Sequence, residues 1–146
     1  MAGIQFFYIQ QTSVLTQKKK LKSFLLDKSV LHGRPIDTLQ VIFCSDDYLL
    51  KINQDFLSHD YYTDIITFDL GSKESEQIEG EIYISLDRVK DNANLHGVPF
   101  KTELHRVIFH GVLHLLGFKD KKKTDQLAMR VMEDEFLLHY QQYHTP

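Results

Sequence analysis

The stretch HGVLHLLGFKD, residues 110–120, carries two histidines four apart, then a glycine and an aspartate. On a helix, residues four apart stack on one face about 6 Å along the axis. His110 and His114 can therefore each give a ring nitrogen to one metal ion. Gly117 suits the position just past a helix end, where a left-handed residue reverses the chain. Asp120 can then bring its carboxylate back to the same ion. The string H-x-x-x-H-x-x-G-x-x-D supplies three Zn²⁺ ligands and leaves a fourth position for water. Zinc lowers the pKa of water from about 16 to near 7, which makes hydroxide available at neutral pH. Zinc proteases of the HExxH type place a glutamate general base beside the first histidine; here that position is Gly111. Peptide hydrolysis would need another carboxylate, such as Glu81 or Glu103. His105 lies about 140° round the helix from His110 and should point elsewhere.

Lys119, Lys121, Lys122 and Lys123 surround Asp120. Such a run is commonly just a solvated helix start. Beside a Lewis acid, however, it suits a phosphodiester better than a peptide, and it can draw RNA from solution by counterion release. A second run, Lys18–Lys20, opens a predicted helix. Basic charge there opposes the helix dipole and does not serve helix stability.

The elements that must position these residues follow from periodicity. Strands are expected over 4–9, 38–44, 64–70 and 79–85. Helices are expected over about 17–32, 46–56, 86–95, 102–116 and 124–141. Ser45 and Ser85 are candidate N-caps. In the histidine helix, Leu104, Val107, Ile108, Gly111, Val112 and Leu115 form an apolar stripe, and Phe109, Leu113 and Leu116 extend it, as expected of a buried central helix. The fold expected is α+β: a mixed four-stranded sheet packed with about five helices, the metal site on the central buried helix. Two strand–helix–strand crossovers imply parallel pairs, and a hairpin of the third and fourth strands adds an antiparallel one.

The 146 residues suit one domain, 1–146, that can bury roughly 70% of its unfolded surface. A net charge of −3 gives no global pull toward nucleic acid or membrane, so RNA must be met by a local basic patch. One cysteine, Cys44, excludes an internal disulfide and fits a reducing compartment. With no run of roughly 20 apolar residues and no secretory signal, a cytoplasmic protein without membrane or DNA partners is expected.

HGVLHLLG resembles the signature of the YbeY-type endoribonucleases, metal-dependent enzymes of bacterial ribosomal RNA maturation. INQDFLSHDYYTDIITFD, 52–69, resembles a second stretch of that family through Asn53, Asp60, Thr63, Asp64 and Phe68, and GEIYIS, 80–85, resembles its next strand. The resemblance covers roughly residues 36–140. It implies a zinc-dependent, single-strand-specific endoribonuclease acting on ribosomal RNA at the small subunit, in 16S 3′-end processing and ribosome quality control. Three positions depart from the family pattern. Asp120 stands where a third histidine is usual; Leu57 replaces an arginine thought to help hold or polarise RNA, and His59 a lysine two residues on; Tyr62 replaces a proline. His59 with Lys119, Lys121 and Lys122 are the substrate contacts expected here, and Tyr61 and Tyr62 can stack on bases. Thr63 and Asp64 can equally just fix a turn. A metalloprotease-like hydrolase, a ribosome-associated binding protein with a structural metal, and a metal-free core with paired histidines remain open.

Overall fold

The structure is a computed structural model that describes residues 3–59, 62–72 and 75–145. Its elements run β1 (Gly3–Tyr8), α1 (Lys18–Leu31), β2 (Ile36–Cys44), α2 (Asp46–Leu57), β3 (Ile65–Asp69), β4 (Ile78–Ser85), α3 (Leu86–His96), α4 (Phe100–Leu115) and α5 (Lys123–Gln142). This is the α+β architecture expected, a four-stranded mixed sheet with five helices. Both serine caps form: Ser45 Oγ accepts from the Tyr48 N–H at 3.1 Å, and Ser85 Oγ from the Arg88 N–H at 3.2 Å. Each satisfies one of the free donors of a helix's first turn.

The sheet order is β1-β2-β4-β3. β1 and β2 are parallel, β2 and β4 are parallel, and β3 runs antiparallel to β4 at the edge. The expected parallel pair of β2 and β3 does not form; the crossover through α2 skips a position, and β4 fills it. Burial accounts for this choice. β4 carries Ile78, Ile82 and Ile84, all fully buried, and so belongs inside the sheet; the five-residue β3 buries only Ile66 completely and serves as the edge.

The sheet's two faces are unequal. Leu39, Val41, Phe43, Ile78, Ile82 and Ile84 join the large core under α1, α3, α4 and α5. Cys44 and Ile66 meet Leu49 and Ile52 of α2 in a small core on the other side. Burial, with Asp87 and Asp46 nearby, pushes the Cys44 thiol up to about 12, so it stays protonated and unreactive. α4 lies between the sheet and the helices α3 and α5, with ten of its residues buried. Among the described residues, no helix is long and apolar enough to cross a membrane.

Candidate metal centre

α4 meets the sheet closely at Gly111. A Cβ there would stand 2.9 Å from the ends of Ile65 and Ile82. The missing side chain lets the helix sit on β3 and β4, and the adjoining face, roughly 60–100° round the helix, carries His110 and His114. The helix ends at Leu115. Gly117, at φ +108, is the left-handed residue beyond the cap: its N–H donates to the His114 carbonyl, and the Phe118 N–H donates to the Leu113 carbonyl, both at 3.0 Å. This pair of bonds is the glycine-terminated reversal anticipated from the sequence. Arg34 anchors the same end, donating to the Leu115 carbonyl and pairing with Asp69 of β3 at 3.0 Å.

The reversal brings Asp120 to the two histidines. His110 Nε2 and His114 Nε2 lie 3.0 Å apart, and Asp120 Oδ2 lies 3.3 Å from the first and 3.1 Å from the second. Ligands at about 2.0–2.1 Å from a tetrahedral ion stand about 3.3 Å from each other, so the triangle has the size zinc requires. Among the described residues, these three form the group with metal-ligand chemistry. Two nitrogen donors and one carboxylate suit Zn²⁺, and the oxygen also admits harder divalent ions.

A fourth residue orients the set. Glu133 of α5, 5% exposed, holds His110 Nδ1 at 2.6 Å. A carboxylate only accepts, so Nδ1 carries the proton and the neutral ring presents a lone pair at Nε2. Arg106 donates to Glu133 at 3.2 Å and pairs with Asp134 at 2.9 Å, which fixes the glutamate in turn. Burial alone would lower the His110 pKa, but the hydrogen bond and charge of Glu133, with Asp120 and Asp64, outweigh it and raise the ring above its ordinary value. Glu133 was not foreseen, yet a signal exists. Met129, Glu133, Phe136 and Tyr140 are the buried stripe of α5, and a carboxylate on such a stripe needs a partner.

Two cavities meet at Asp120. One, ≈ 440 Å³, is lined by His114, Lys119, Asp120, Lys121, Lys122 and Asp125, so the expected lysines do reach the site. The other, ≈ 260 Å³, joins His110 and Asp120 to Asp64, Glu103, Arg106 and Glu133. Glu103 lies two turns before His110 on the same face of α4. It is 4% exposed, and its Oε1 has no hydrogen-bond partner. Burial raises its carboxyl pKa against the opposing pull of Arg106 and His96. Burial also raises Asp64, against the charge of His110. Asp64 is more than a turn residue: Asn92 Nδ2 donates to its Oδ2 at 3.4 Å, and the side chain lines the metal cavity.

Other expected contacts lie elsewhere. His59 is exposed in a separate cavity with Asn53, Leu57 and Thr63, and lines neither cavity at the triangle. Glu81 accepts from the Tyr83 hydroxyl at 3.3 Å and faces the α2 side of the sheet. Tyr62 is half-exposed, with the Arg88 guanidinium 5.0 Å from its ring centre. Tyr61 and Asp60 fall outside the described residues. His105 stacks against Phe109 and meets Tyr140 edge-on, away from the triangle, as its angle round the helix requires.

The solution structure of TM1509 from Thermotoga maritima is similar at a TM-score of 0.61 and 26% identity, covering 94% of this chain and 88% of that one. The endoribonuclease YbeY of Cytophaga hutchinsonii is 50% identical over 133 residues, which is 90% of this chain and 92% of the relative. That of Flavobacterium psychrophilum is 52% identical over 134 residues, 92% and 89% of the two chains. That of Porphyromonas gingivalis is 42% identical over 142 residues, 97% and 93%. The model of the family described as endoribonuclease YbeY matches residues 7–141, and the chain belongs to that family.

Proposed function

We propose that this chain, acting as a single domain over 1–146, is a Zn²⁺-dependent endoribonuclease that cuts single-stranded RNA. Its proposed substrate is precursor ribosomal RNA at the small subunit in the cytoplasm, at the 3′ end of 16S RNA and in ribosome quality control. The observation that supports this best is the His110–His114–Asp120 triangle opening onto a cavity lined by Lys119, Lys121 and Lys122. When bound, a divalent cation supplies Lewis acidity at neutral pH, stabilising charge on phosphate oxygen and easing loss of a proton from water. The chain's own groups do the remaining work. The three lysines neutralise phosphodiester charge. Glu133 holds the His110 ring in its tautomer and direction. Glu103 and Asp64, carboxyls in the adjoining cavity, are positioned to take up a proton. Asp120 in place of the family's usual histidine makes the ligand set more anionic. That weakens the acidity conferred on water and shifts preference toward harder ions.

The protease reading lacks its usual base: the position of Gly111 faces Ile65 and Ile82 of the sheet and not the triangle. Zinc loading followed by incubation with single-stranded RNA tests the proposal. Cleavage is expected, abolished by chelator and restored by metal. Product ends separate the two routes: attack by water leaves an ordinary terminal phosphate, and attack by the ribose 2′-OH leaves a cyclic one. Metal-loaded protein that binds small subunits but leaves RNA intact would establish the binding-protein reading instead.

A further inference from the structure

On the opposite side of α4 from the metal triangle, α1, α4 and α5 enclose a cavity of ≈ 210 Å³. Its wall includes Gln17 and Lys20 at the start of α1, Lys101 and Thr102 in the first turn of α4, and His105 and Tyr140. No carboxylate lines it. α1 follows Gln17 with no side-chain cap and no acidic residue in its first turn; α4 follows Pro99, also without a side-chain cap, and its first-turn acid, Glu103, lines the cavity on the metal side and not this one. Two positive helix ends therefore start at this cavity together with two lysines that form no ion pair among the described residues. Such an accumulation of positive potential costs stability unless an anion answers it.

His105 supplies an independent indication. It is 6% exposed, it lines the cavity, and neither ring nitrogen has a hydrogen-bond partner among the described residues. The Tyr140 side chain is 5% exposed and its hydroxyl has no partner either. Buried polar groups are ordinarily satisfied, so the unpartnered Tyr140 hydroxyl, beside a His105 ring whose nitrogens bond to nothing among the described residues, marks a place for a ligand. The Lys20 ammonium sits 4.4 Å from the Tyr140 ring centre, which holds it at the rim. This also gives Lys20 a role at a helix start where basic charge works against α1 taken by itself.

We propose that this cavity binds a phosphate group. Lys20 and Lys101 supply charge, the first turns of α1 and α4 supply backbone N–H donors, and His105 and Thr102 supply side-chain hydrogen bonds. The group can be a diester in an RNA backbone or free inorganic phosphate; the chemistry recognised is the same. The site does not depend on the nuclease reading, and its test involves no cleavage.

The test uses the full-length zinc-loaded protein in low-salt, phosphate-free buffer, with ring resonances of all histidines followed by NMR. Inorganic phosphate should shift the His105 signals saturably, while chloride at matched ionic strength leaves them in place. Lys20→Gln with Lys101→Gln should weaken that binding at least tenfold. Both ammonium groups lie outside the core, so an unchanged melting curve verifies the fold. A 2′-O-methyl oligoribonucleotide without terminal phosphates forms the second arm. Displacement of phosphate by it identifies an RNA backbone as the ligand, and binding of inorganic phosphate alone identifies the free ion; both uphold the site. Phosphate that moves only the His110 and His114 signals, or that binds the double variant as tightly as the parent, overturns it.

Discussion

His110 uses its two ring nitrogens differently: Nδ1 donates to Glu133 at 2.6 Å, and Nε2 faces His114 and Asp120. Glu133→Ala should therefore keep all three ligands yet lower metal affinity about 10–100-fold, as loss of an orienting carboxylate does elsewhere. Competition against a chromophoric chelator measures it, and an unchanged affinity would remove Glu133 from the site. Asp120→Ala should lose most of the metal by the same assay, whereas Asp120→His, which restores a nitrogen donor, should retain it. If both hold metal like the parent, Asp120 is not a ligand. The two histidines and the aspartate were readable because their spacing is local, within one helix and its reversal. Glu133 was not read, because its partner lies 23 positions away. Lys119, Lys121 and Lys122 line the cavity beside the triangle because they flank Asp120 in the chain; His59 lines a separate cavity, because its loop follows α2 on the other face of the sheet.

For the elements, α4 is the critical case. Its glycine at 111 looks like a proteolytic motif lacking its base, but the structural reason is contact: Ile65 and Ile82 fill the space a side chain would need. Gly111→Glu, which restores HExxH in letters, should cost at least about 3 kcal/mol through overpacking and a buried carboxylate. Urea denaturation would show it as a lower midpoint, and a variant as stable as the parent would refute the contact argument. Helix and strand boundaries were legible to within about two residues because caps and periodicity are local. The strand order was not. Both β3 and β4 are apolar and β-prone, and the preference of fully buried Ile78, Ile82 and Ile84 for the interior decides which of them pairs with β2.

Over the whole molecule, α4 separates two regions: the metal triangle on one side, and an aromatic cluster of Phe24, Phe109, Phe136 and Tyr140 with His105 on the other. Asp120 sits in the connection between α4 and α5, so a bound ion ties the two helices through that connection. At a hundredfold excess over its dissociation constant, Zn²⁺ should stabilise the fold by about 2.7 kcal/mol. That corresponds to a rise in Tm of roughly 5–10 °C, reversed by chelator. A melting curve indifferent to zinc would mean that no such tie exists. Acid should act through the other side. Burial holds the His105 pKa down at about 4, helped by Lys101 and Lys20. The unfolded chain takes up that proton near pH 6.5, so stability is complete above 6.5 and declines as pH falls toward 4, by about 3 kcal/mol at most. His105→Phe keeps a ring in the cluster and should flatten this decline in denaturation curves run between pH 7 and pH 4.5. A variant with the parent's slope would locate the acid sensitivity elsewhere.

The sequence by itself determined the elements, their caps, the reversal at Gly117 and the three residues whose donor atoms converge. Each of these rests on interactions within a few positions of the chain, where residue type and spacing decide the geometry. Only the tertiary structure decided which strand stands inside the sheet, which carboxylate holds His110, and that Lys20, Lys101 and His105 line one cavity. Those depend on the competition among distant side chains for a single buried volume, and no local pattern encodes its outcome.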